Sequence, residues 1–147
     1  MSEVARIREQ MRRAFEGGAW HGPAVRELIE GIDEKKAAAR PIAGAHTIWE
    51  LTLHIAAWKG IVRRRTLGER VVDVSPAEDW PPARGAWPDA VAALERAHEE
   101  LMRVVAGLPE ARLAEGVSGK DYAVYDLLHG IVQHDLYHAG QIALLRK

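Results

Sequence analysis

Gly130-Ile131-Val132-Gln133-His134-Asp135-Leu136-Tyr137-His138-Ala139-Gly140-Gln141-Ile142 sets two histidines four residues apart inside a pattern that predicts helix from about Tyr122 to Arg146. Such a helix has roughly 25 residues and runs ~37 Å at 1.5 Å per residue. A four-residue step falls ~40° short of a second full turn, so both imidazoles project from one face with Cβ atoms ~6 Å apart. That separation suits one metal ion held ~2.0–2.1 Å from each ring nitrogen. Two histidines hold a catalytic ion poorly, so a third ligand is needed.

Working outward, the third candidate is His54. Thr47-Ile48-Trp49-Glu50 has capping-box spacing and opens a second long helix, closed near Gly68. Ile48, Leu51, Ile55, Trp58 and Val62 form its apolar face. His54 lies close to that stripe and should point inward, where an unpaired imidazole is costly. Three neutral imidazoles leave one to three positions for water or substrate, the open pattern of a catalytic site rather than the closed four-ligand structural one. On the residues alone, the cluster reads equally as a metal site or as three core histidines.

The rest of the chain is helical in period. Val4, Ile7, Met11, Ala14 and Phe15 mark a first helix between Ser2 and Gly17-Gly18. Trp20-His21-Gly22-Pro23 is a turn, with Pro23 suited to a first helical position, and Val25 to Ile32 make a short helix stopped near Gly31. Asp33 to Ala45 reads as a connection. Residues 69–87 hold Pro76, Pro81, Pro82, Trp80 and Trp87 and are too proline-rich for regular structure, except for a short extended piece at Val71–Val74. A loop this long in a compact domain is often a lid or pocket wall. Pro88 and Asp89 open a helix whose Val91, Leu94, His98, Leu101, Val105 and Leu108 form a bundle seam. The expectation is an all-α four-helix bundle with a short extra helix, one domain over residues 1–147.

Composition narrows the function. The chain is 48% hydrophobic and 28% charged, which excludes a disordered or fibrous protein. Its 20 Lys+Arg against 21 Asp+Glu give no basic excess, so no case exists for nucleic acid or an anionic membrane as partner. With no cysteine, thiolate zinc sites, disulfides and cysteine nucleophiles are excluded. MSEVARIREQ lacks the apolar stretch of a signal peptide, and no apolar run reaches ~18 residues, so a cytoplasmic location is expected.

Other residues have two readings each. Gln141, three past His138, can orient an imidazole or pack between helices. Gly130 faces the same way and leaves room for substrate or for another helix. Glu50 can reach the metal or cap its helix, and His98 can line the pocket or fill the core. His21 is a pocket wall or a plain turn residue, and Trp80 a lid or an anchor for its loop. Arg63, Arg64 and Arg65 offer an anion site or a solvated helix end. His129 is ~140° from His134 around the helix and is excluded as a ligand. His46, just before the cap, reads as a surface residue.

The segment from Gly130 to Ile142, together with His46-Thr47-Ile48-Trp49-Glu50-Leu51-Thr52-Leu53-His54-Ile55-Ala56-Ala57-Trp58 and the turn Trp20-His21-Gly22-Pro23, resembles the DinB-like family, which includes YfiT-type metal-dependent hydrolases. The likeness spans nearly the whole chain in order. It implies an up-down-down-up bundle, a homodimer, and a divalent ion, zinc or nickel, on His54, His134 and His138. It further implies a hydrolase or a low-molecular-weight-thiol S-transferase acting on a small molecule. A thiol nucleophile must then come from a cosubstrate, and Glu50 and His98 are the candidate bases. The other class of function is a non-catalytic, stress-related metal- or ligand-binding protein.

Overall fold

The structure, a computed structural model, describes residues 1–147. Four long helices form the frame: α1 (Glu3–Phe15), α4 (Ile48–Thr66), α6 (Trp87–Ala106) and α7 (Val124–Leu145). Three short ones, α2 (Val25–Ile29), α3 (Glu34–Ala38) and α5 (Pro76–Asp79), and a 3₁₀ turn at Glu110–Ala114 lie in the connections. No helix is long and apolar enough to cross a membrane.

Local chemistry sets most boundaries. Ser2 Oγ accepts from Ala5 N at the start of α1. Thr47 and Glu50 exchange hydrogen bonds of 3.1 and 2.8 Å at the start of α4, closing the expected box. Several details differ from the sequence reading. Asp33 caps a helical turn, α3, through Lys36 N at 2.7 Å, inside what read as a plain connection. Ser75 and Glu78 form another capping box around Pro76, so the proline-rich loop contains α5. Proline at a first helical position surrenders only an N–H that has no helical partner. Val71–Val74 pairs with no strand. Pro23 precedes the cap residue Ala24 of α2 and is not helical. The last helix also starts at Val124 rather than Tyr122, because the Tyr122 carbonyl accepts from Val117 N in a bridge between Gly116 and Ala123.

Cross-helix pairs fix the directions. Trp49 meets Trp87 and Arg63 meets Glu100, so α4 and α6 run parallel. His54 meets His138, whereas Lys59 meets Asp135 and Arg65 meets Tyr122, so α7 runs against α4. In α1, Val4, Ile7 and Met11 share one apolar cluster with Leu127, Leu128 and Ile131, and Phe15 shares the other with Ala139 and Ile142, so α1 runs with α7. The bundle is therefore up-down-down-up. Parallel neighbours need a crossover the length of the bundle, and residues 67–86 supply it. This strap climbs back along α4, past Arg65 (Val71 O), Trp58 (Asp79 Oδ1) and His54 (Asp79 O).

The core divides into two apolar clusters, one around Phe15, Ile55, Leu94 and Ile142, the other around Met11, Val62, Leu101 and Ile131. Between them lie Lys59, His98 and Asp135, one from each of three helices and each 1% exposed. Lys59 Nζ donates to Asp135 Oδ2 at 2.6 Å and sits 4.7 Å from the Phe15 ring centre. His98 stacks on Phe15 at 4.0 Å and pairs with Glu16. Removing one member of a buried ion pair strands a charge at a cost of about 3–5 kcal/mol, whereas replacing both with apolar groups is often neutral. Asp135→Leu is therefore expected to lower stability by about that amount, and Lys59→Met/Asp135→Leu to recover most of it, as read by urea denaturation.

Candidate metal centre

The three histidines singled out by spacing come together where α4 faces α7. One ring nitrogen from each of His54, His134 and His138 lies within 4.8 Å of the others, and His54 and His138 are buried. His134 Nε2 is 3.0 Å from His54 Nε2 and 3.1 Å from His138 Nε2. Two nitrogens each ~2.0–2.1 Å from one ion stand ~2.9–3.4 Å apart for coordination angles between octahedral and tetrahedral.

The opposite ring nitrogens explain why the Nε2 atoms aim inward. His54 Nδ1 donates to the Asp79 carbonyl at 2.5 Å, and Asp79 Oδ1 is 3.3 Å away. His138 Nδ1 donates to Gln141 Oε1 at 2.6 Å. Each bond holds the ring proton on Nδ1 and turns the Nε2 lone pair to the cluster, the outer-sphere arrangement of ligand histidines. His134 Nδ1 is buried without a partner. Burial pushes all three imidazoles below the ordinary value, His134 to about 3 with help from its two neighbours. Neutral rings are the ligating form.

Trp80 closes one side. Its ring stacks on His54 at 3.8 Å and on His46 at 3.5 Å, so the crossover carries an indole between two imidazoles. Gln141 thus orients His138, and Trp80 walls the site. Glu50 is turned away: its carboxylate takes Thr47 N, Arg40 and the His46 ring. His98 belongs to the core layer against Phe15. His21 is exposed on its turn, beside Trp20 and Val132 on another face. His129 sits tilted against Tyr125, with ring centres 4.4 Å apart, outside the cluster. Arg63 and Arg64 pair with Glu100 and Glu69 near the surface.

The cluster opens on a cavity of about 570 Å³ between α4 and α7, with Trp58, Asp79, Gly130 and Tyr137 in its walls. A Cβ at Gly130 would meet nothing within 4 Å, so this glycine widens the cavity and does not admit another helix. Sequence reasoning missed Asp79, which binds His54 through its carbonyl and Trp58 through its carboxylate at 2.7 Å. Its only signal was a place one residue before Trp80 in a loop expected to cover the site.

An up-down-down-up bundle with three converging imidazoles beside a cavity defines a helical protein with a metal-competent centre. The sequence model of the DinB superfamily matches residues 19–142, and the chain belongs to that superfamily. No curated protein matches the chain.

The depressed histidines set an acid limit for metal-free protein. In the unfolded chain each titrates near ~6.5, so below that pH the unfolded state takes up protons the native rings refuse. Their contribution is complete above about pH 6.5 and is lost progressively as pH falls toward the folded values. His98 shares this behaviour, held at about 2 by burial and by nearby Lys59 and Arg26. Between about pH 6 and 5, above most carboxylate titration, urea midpoints should fall, and His98→Leu should lessen the slope by up to about 1.4 kcal/mol per pH unit.

Proposed function

We propose that the chain binds one divalent ion, zinc or nickel, through Nε2 of His54, His134 and His138, and that it is a small-molecule enzyme, a hydrolase or a low-molecular-weight-thiol S-transferase. The observation that carries this is the crowding of three Nε2 atoms, with links of 3.0 and 3.1 Å, at the mouth of a cavity. His54 and His138 keep their protons on the far nitrogen, and the single proton of a neutral His134 can serve only one of them, so at least one convergent lone pair lacks a donor, which a cation would satisfy. Imidazole ligands suit either metal.

A divalent ion there supplies Lewis acidity, which acidifies a water or thiol presented to its open side. The chain does the rest. Asp79 and Gln141 hold two rings in register, and Trp80 keeps water from the back of His54. Asp79 is the carboxylate in the cavity wall beside the ligands, which gives it the proton-accepting role that the sequence offered to Glu50 or His98. A sulfur nucleophile has to arrive with a cosubstrate, because the chain has no cysteine.

Elemental analysis of protein purified without a histidine tag should give one ion per chain, lost in His134→Ala with helicity retained and kept in His129→Ala. One-to-one metal in His134→Ala would contradict the ligand set. Metal-loaded protein is then screened with electrophiles, with and without small thiols. Thiol-dependent consumption marks a transferase and thiol-independent cleavage a hydrolase, while no turnover across both series counts against an enzyme.

A further inference from the structure

We propose that the far end of the same cavity is a carboxylate-binding subsite formed by Arg65 and Tyr122, so that the molecule brought to the three histidines is an organic anion with an apolar body. This deepens the proposed function, on which it rests, since it names the class of molecule the cavity takes. The subsite itself is built from side chains that touch none of the ligand histidines.

Arg65 follows His54 by eleven residues on α4, which returns it to within ~20° of the same face and ~16 Å along the axis. Trp58 lies between them. Its ring centre is 5.9 Å from that of His134, and the Arg65 guanidinium carbon is 5.7 Å from the Trp58 centre. The guanidinium is thus no further from His134 than those two steps together, and one small molecule can reach both ends. Val62, Leu127 and Ile131 line the stretch between, and Gly130 leaves it unfilled.

The charge on Arg65 stands out because nothing in the protein neutralises it. The residue is 4% exposed. Nε donates to the Val71 carbonyl at 3.0 Å and Nη1 to the Tyr122 hydroxyl at 3.1 Å. Both acceptors are neutral. Nη2 has no acceptor in the protein, yet it is not one of the sealed unpaired atoms, so it keeps accessible surface, and Arg65 lines the cavity. Lys59, the other buried cation of α4, has Asp135 at 2.6 Å, whereas Arg65 has no carboxylate within ion-pair range. Asp126 lines the same end of the cavity, but its carboxylate caps α7 by accepting from Ala123 N. Asp79, the cavity's other acid, is engaged by His54 and Trp58.

Burying a guanidinium without a counter-charge is costly, and a ligand carboxylate would remove that cost. The planar fork is matched to such a group, with Nη2 donating to one carboxylate oxygen. The Tyr122 hydroxyl accepts from Arg65 and still has its own proton to donate to the other. Apolar walls between this pair and the histidines fit a hydrocarbon or aromatic body.

The test is calorimetric titration of the whole chain, metal-free and zinc-loaded, with 4-phenylbutanoate and with its neutral amide. Metal-free protein should bind the carboxylate at least ~tenfold more tightly than the amide, the scale of one charge-assisted hydrogen bond. Arg65→Met should abolish that preference and Tyr122→Phe should reduce it severalfold, with amide binding unchanged. Arg64→Met, which alters an exposed neighbour paired with Glu69, should leave it intact. Circular dichroism checks each fold, and Tyr122→Phe, which keeps its ring, serves if Arg65→Met does not fold. Equal binding of acid and amide, or no carboxylate binding at millimolar concentration, overturns the proposal. So does a preference that appears only with zinc and vanishes in His134→Ala, which would send the carboxylate to the metal and leave the metal assignment standing. Failure to bind zinc beside an Arg65-dependent preference would refute the metal assignment alone.

Discussion

Three imidazole nitrogens converging where α4 faces α7 are the constraint around which this bundle is arranged. Without a cation the one proton of a neutral His134 can bridge only one of its two neighbours, and the rings of His54 and His138 are fixed where they cannot turn away. His134 and His138 are held by the helical step of α7, His138 is locked again by Gln141, and His54 is locked by a carbonyl of the crossover. Topology makes the last contact available. Because α4 and α6 are parallel, the segment joining them must travel the bundle's length, and it does so along α4. The prolines in it suppress helix over most of its course, while Ser75 and Glu78 fold one turn at the height of His54. That turn delivers Asp79 and Trp80 to the site.

The bundle also tolerates charge deep in its interior. Lys59, Asp135 and His98 separate two apolar clusters, and Asp135 is the residue next to His134. Burial raises the Asp135 carboxyl toward its neutral form, and the 2.6 Å bond from Lys59 opposes that. An ion pair across α4 and α7 beside the ligands also fixes the register of the two helices that supply the three imidazoles. A one-residue slip of α7 would break the pair and carry His134 and His138 away from His54 by ~100° of rotation.

Much of this was legible in the residues. The helical period, the capping box at Thr47 and Glu50, and the four-residue spacing of two histidines require only local physics. His54 was reachable because it sits close to an apolar stripe. The crossover's contents were not legible: proline density hid α5, and Asp79 acts largely through its backbone carbonyl, which no side-chain pattern announces. Lys59 and Asp135 carried no local signal of their burial, since their partnership joins positions 76 apart in the chain. Arg65 was hidden in a run of three arginines whose other two do lie near the surface. Glu50 and His98 are engaged away from the three histidines, Glu50 by its helix cap and Arg40, and His98 by Phe15 and Glu16.

The most direct test of the central claim is X-ray absorption at the metal edge of zinc-loaded, tag-free protein. Three imidazole nitrogens at ~2.0–2.1 Å, with at least one non-protein ligand completing the sphere, are the predicted result. A sphere with two or fewer imidazoles, or one closed by a full set of protein ligands, would contradict an open centre on His54, His134 and His138.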